Sequence, residues 1–107
     1  MENLKEKKSI IDFISRRNKF AIDPTTLSML GFSTGDYFFD KRVGDGLFTI
    51  GVFFSNNVDI FWDPFEYRTD ISDAKKKRSG VRTTILIKDL KHLVSVFEKT
   101  TGQKFKI

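Results

Sequence analysis

Ten of the chain's fifteen aromatic rings fall within residues 36–69, and bulky apolar residues there recur at every second position. Successive strand side chains point to opposite faces of a sheet, so this spacing demands strands with one covered face. Tyr37 to Arg42 reads as a first strand, turned by Gly44-Asp45-Gly46. Leu47 to Phe54 reads as a second, with Phe48, Ile50, Val52 and Phe54 on one face and Leu47, Thr49, Gly51 and Phe53 on the other. Ser55-Asn56-Asn57 supplies a tight turn. A third strand follows, in which Val58, Ile60 and Trp62 alternate with Asp59 and Phe61. Asp63-Pro64 breaks it, and Glu66 to Thr69 is expected to resume pairing.

Helical periodicity flanks this meander. Near the N-terminus Leu4, Ile10, Ile11 and Ile14 share one arc of a helix, and Lys5, Lys8, Asp12, Arg16 and Lys19 take the opposite side. Asp23-Pro24 opens a short helix that Gly31 stops. Leu90, Leu93, Val94 and Phe97 give the i, i+3, i+4, i+7 stripe of a C-terminal helix ended by Gly102. Val81 to Ile87 reads as a strand, residues 70–80 as a polar loop, and Lys104 to Ile107 as a short closing strand with lysines toward water. The expected fold is α+β: an antiparallel β-meander sheet packed by an N-terminal and a C-terminal helix. At 107 residues it forms one domain, residues 1–107.

The charge is lopsided. Lys75, Lys76, Lys77, Arg78 and Arg82 lie within KKKRSGVR with no acid among them, and the other fourteen basic residues match the fourteen acids. The net charge of +5 is therefore local. Such a cluster neutralises phosphates and releases condensed counterions, so these five residues are the candidate nucleic-acid contacts. The plain alternative is a solvated loop. Four of them also spell KKKR, a minimal nuclear import pattern that short sequences match by chance.

Paired neighbours such as Phe38–Phe39, Phe53–Phe54 and Phe61–Trp62 cannot all face one core. Most of these rings are assigned to the core; Trp62 and Phe65, beside the Asp63-Pro64 break, are the expected exposed aromatic contacts for a partner. Catalytic sets are lacking. There is no cysteine, which excludes disulfides, thiolate metal sites and cysteine nucleophiles. His92, the one histidine, is expected on the solvent side of its helix without a partner. The acids Asp59, Asp63, Glu66, Asp70 and Asp73 match no cation-loop spacing. No glycine-rich phosphate loop is present. The expectation is a non-enzymatic protein without cofactor or metal. No apolar run is long enough for a membrane span or a signal segment, which predicts a cytoplasmic protein.

Residues 30–50, LGFSTGDYFFDKRVGDGLFTI, resemble the hairpin of swapped-hairpin transcription factors of the AbrB and SymE kind. The likeness lies in a Gly-hydrophobic-x-x-Gly-Asp step, a strand, a glycine turn and a second strand. It spans about a fifth of the chain, and the meander here runs on through strands and a helix which that small fold lacks. The resemblance adds weight to the nucleic-acid reading. Two functions follow: a small binding module that contacts nucleic acid or a nucleoprotein through Lys75–Arg82, or a protein-interaction protein. The second reading is an inhibitor or antidefence factor of a phage or mobile element, binding a protein through Trp62 and Phe65. Homodimerisation through an aromatic face or the C-terminal edge strand is compatible with either.

Overall fold

The computed structural model describes residues 22–35, 37–54 and 57–107. The helix expected near residues 4–19 and the residues Ser55 and Asn56 lie outside that set. Helix α1 spans Pro24–Met29 because Asp23 caps it, its Oδ1 accepting from the Thr26 N–H at 3.1 Å, with proline in the first turn. Gly31 adopts φ 87° after its last turn, and the Phe32 N–H donates back to the Leu27 carbonyl at 3.0 Å.

Five antiparallel strands follow in the simple order β1-β2-β3-β4-β5. They are β1 (Ser33–Thr34), β2 (Phe38–Val43), β3 (Gly46–Phe54), β4 (Asn57–Asp63) and β5 (Val81–Leu86). β1 is a two-residue piece paired to Asp40 and Phe39, so four full strands make the sheet. Gly44, at φ 60°, turns β2 into β3 and sets Val43 opposite Gly46. The register then aligns Ile50 with Ile60, Phe48 with Trp62 and Trp62 with Val81 across three strands. All of these lie on one face, where Phe48, Ile50, Val58 and Ile60 are fully buried.

Helix α3 (Leu90–Thr101) covers that face with Leu90, Leu93 and Phe97. The Asp89 side chain accepts from the His92 N–H at 2.8 Å at its start, and Gly102, at φ 70°, ends it. Phe97 meets Phe48 edge-on with centroids 4.8 Å apart and Phe105 at 5.0 Å, tying sheet, helix and C-terminal tail into one core. The architecture is α+β with an antiparallel meander, as the residue pattern predicts.

Three local expectations change. Residues 73–79 are not loop but helix α2 (Asp73–Ser79). Ser72 caps it, its hydroxyl accepting from the Lys75 N–H at 3.4 Å, and Asp73 in the first turn with Lys76, Lys77 and Arg78 in the last complements the helix dipole. Residues 66–69 form a turn rather than a strand, the Tyr67 N–H donating to the Asp45 carbonyl at 2.9 Å. Lys104 to Ile107 forms no strand either. The predicted alternation survives as a buried Phe105 between exposed lysines, but the Phe105 N–H donates to a side chain, Glu98 Oε2 at 2.8 Å, instead of a ladder partner.

Candidate functional site

Helix α2 leaves the far end of β4 and returns into β5, and none of its residues is buried. Lys75, Lys76, Lys77 and Arg78 are consecutive, so at about 100° per residue they splay around the axis instead of forming one stripe. Lys75, Lys77 and Arg78 are exposed, and among the described residues none of them makes an ion pair. Lys76 is half-buried and faces the carboxyl pair Asp63 and Glu66. Glu66 is pushed above the usual carboxylate range by its hydrogen bond with Asp63, then by burial and the charge of Asp63; Lys76 offsets part of that.

Arg82 lies apart from the helix, on the sheet face opposite the core. Its Nε and terminal nitrogen donate to Asp59 Oδ2 at 3.2 and 2.6 Å, while Thr84 Oγ1 donates to Asp59 Oδ1. Asp59 is held below its ordinary pKa by the Thr84 hydroxyl first and Arg82 second. The guanidinium remains 71% exposed, but one flank is committed to the sheet. The linear cluster of five cations is thus three exposed charges on a helix, one turned toward acids and one locked in an ion pair.

Trp62 is not an exposed contact. It is 6% exposed, because strand alternation places it with Val58 and Ile60 on the covered face. A Cβ on Gly46 would lie 2.8 Å from its Cζ3, so the ring fills the space that a side chain there would need. Phe65 is half-buried in the turn after β4, its N–H donating to Asp63 Oδ1 at 2.9 Å and the Arg68 guanidinium lying 5.8 Å from its ring centre. Among the described residues the exposed rings are Tyr37, Tyr67, Phe38 at 60% and Phe61 at 40%. Residue composition alone places Phe38 and Phe61 in the core, so both are corrections. The signal for the correction was present in the pairs Phe38–Phe39 and Phe61–Trp62, whose second members are the buried ones.

Phe38 and Phe61 flank a shallow groove of about 370 Å³ floored by Thr49, Gly51, Asp59 and Arg82. The Phe38 ring leans over Gly51, where a Cβ would lie 3.1 Å from it. Phe61 also reaches the joint between α2 and β5, where a Cβ on Gly80 would lie 3.0 Å from Phe61 Cζ. The groove therefore adjoins the basic helix, although Asp40, Asp59, Asp63 and Glu66 make its surroundings acidic.

The acids do not assemble a cation site. Asp59 is taken by Arg82 and Thr84, Asp63 by the Phe65 N–H and Asp70 by Arg68, and among the described residues no cluster of three or more ligating side chains occurs. His92 is half-buried, and its Nδ1 accepts from the Lys88 N–H at 3.0 Å, so it serves the start of α3 instead of standing free in solvent. No helix among the described residues is long and apolar enough to cross a membrane. No protein-family profile, curated protein or solved structure matches this chain. The swapped-hairpin resemblance gains nothing from these comparisons, and residues 38–54 form a hairpin paired within the chain.

Proposed function

We propose that this chain is a small non-enzymatic binding module that contacts the phosphates of nucleic acid through helix α2. The observation that carries this reading is a capped helix that buries none of its residues and exposes Lys75, Lys77 and Arg78. A segment that contributes nothing to the core yet holds three exposed cations with no ion pair among the described residues suits a polyanion. Phe61, at the foot of the helix, is placed to stack on an unpaired base, a contact worth ~1–3 kcal/mol. Trp62 has no part in it. In the groove Arg82 is paired with Asp59 and offers phosphates no unpaired cation, so the strand of nucleic acid approaches from the end of the sheet and not across its face.

Fluorescence anisotropy of labelled DNA and RNA across a salt series tests this. Binding is expected to weaken steeply with salt and to be lost in Lys75→Glu/Lys77→Glu while circular dichroism stays unchanged. Binding by that variant equal to wild type removes the reading.

A second reading has its own observation. The groove between Phe38 and Phe61 joins two exposed rings to the Asp59–Arg82 pair, which suits a partner that brings an apolar side chain and a polar group. In that case Phe38→Ala and Phe61→Ala lose the partner in a pull-down, and the Lys75/Lys77 reversal keeps it.

A further inference from the structure

The fold makes a second basic cluster that the linear sequence conceals. A cleft of about 670 Å³ opens between the end of β2 and the C-terminal tail, lined by Lys41, Arg42, Gly44, Gln103, Lys104 and Lys106. Phe97 forms its floor, and no side-chain carboxylate lines it. The cations come from segments more than sixty residues apart in sequence, and only tertiary packing brings them together.

Lys41 is the most constrained of them. Its Nζ donates to the Leu30 carbonyl at 2.9 Å and lies 5.2 Å from the Phe105 ring centre and 5.7 Å from that of Phe32. An ammonium carries three donors, and the carbonyl takes one. Gly31 permits the approach, since a Cβ there would lie 2.7 Å from Nζ. Burial pulls the Lys41 pKa down, and among the described residues no carboxylate pairs with it to oppose that. Arg42 is fixed as well: its Nε donates to the Gly44 carbonyl at 3.2 Å and its guanidinium lies 4.2 Å from the Tyr67 ring centre. These are positioned charges with no ion pair among the described residues, and the backbone of Ile107 shares the cleft with them.

The cleft shares one end of the sheet with helix α2. Val43 pairs with Gly46, Leu47 with Asp63 and Trp62 with Val81, so the end of β2 and the start of β5 lie at the same edge. Three strand spacings separate them, roughly 14 Å, a distance that a few linked nucleotides bridge. We propose that the cleft is a second phosphate site, and that one nucleic-acid strand runs across this end of the sheet from the cleft to helix α2. This inference rests on the nucleic-acid reading above. The chemistry shared by its ligands is the phosphate ester, free or in a chain. The spacing favours the chain.

The test compares wild type with a helix variant (Lys75→Glu/Lys77→Glu), a cleft variant (Lys104→Glu/Lys106→Glu) and a control (Lys88→Glu/Lys91→Glu) at the start of α3. Anisotropy is read with single-stranded DNA of about two nucleotides, too short to span the two sites, and of about sixteen. Circular dichroism melts confirm that each variant folds; all six lysines are exposed. The cleft variant is expected to lose about tenfold or more in affinity for the long strand, to flatten the salt slope by about 1.4, and to lose the preference for long over short. The control stays near wild type.

If the cleft variant matches the control while the helix variant fails to bind, the second site is wrong and the functional reading stands. If wild type binds no oligonucleotide at low salt, the functional reading falls and the two-point track falls with it. Titration calorimetry with inorganic tripolyphosphate separates the remaining source. Tripolyphosphate bound by wild type and lost in the cleft variant, without oligonucleotide binding, makes the cleft a site for free phosphate compounds and overturns the track.

Discussion

Gly46 and Trp62 form a size-matched pair whose tolerance is set by a few tenths of an ångström. A methyl group on Gly46 would press on the indole and come within 2.7 Å of the Asp63 carbonyl oxygen, which belongs to the backbone and cannot swing aside. Gly46→Ala should lower stability by about 2–3 kcal/mol, read as a shift of the urea midpoint. A shift within error of zero would mean that the hairpin moves freely. Asp59 and Glu66 respond to pH with opposite signs. The folded-state pKa of Asp59 is depressed, so its contribution is present above the unfolded value of about 3.9 and is lost as pH falls through the folded value. Asp59→Asn should therefore lower the urea midpoint at neutral pH and flatten its decline below about pH 4. The folded-state pKa of Glu66 is raised, so its contribution is present below about pH 4.3 and is lost as pH rises through the folded value. Glu66→Gln should raise the urea midpoint at neutral pH and leave it nearly unchanged near pH 3. Equal effects at both pH values would contradict the Asp63–Glu66 pairing.

At the scale of elements, caps decide what periodicity leaves open. The stripe Leu90, Leu93, Val94 and Phe97 announces α3, and the structure adds the start: Asp89 accepts from the His92 N–H and His92 Nδ1 from the Lys88 N–H. Asp89→Ala is expected to cost about 1 kcal/mol in thermal or urea unfolding, with Asp89→Asn largely restoring it. Helix α2 had no apolar stripe to announce it. A polar, basic run reads as loop when periodicity is the guide, yet Ser72, Asp73 and the basic last turn satisfy a helix from its ends. The strand expected at residues 104–107 failed for the converse reason. The burial of Phe105 between exposed lysines is the pattern of a strand, but a strand also needs a neighbour offering a ladder, and Glu98 supplies the hydrogen bond in its place.

At the scale of the molecule, Phe97 joins the three parts of the core, touching Phe48 of the sheet and Phe105 of the tail. Phe97→Ala should cost about 3–5 kcal/mol, a large share of the stability expected for a domain of this size. The same change should release the tail, seen as faster amide exchange at Phe105, and Lys104 and Lys106 would then no longer frame the cleft. What the sequence by itself determined is the meander, its covered face and the C-terminal helix. These follow from local periods of 2 and 3.6 and from glycine and aspartate punctuation, which need no distant partner. It determined the composition of the basic segment as well. Only the tertiary structure decided which member of the pairs Phe38–Phe39 and Phe61–Trp62 meets the core, that Arg82 is spent on Asp59, that Trp62 is enclosed, and that Lys41 and Lys106 share a cleft. Each of these depends on what lies across the sheet or beyond a turn, and burial and charge pairing are properties of such neighbours, not of the order of residues along the chain.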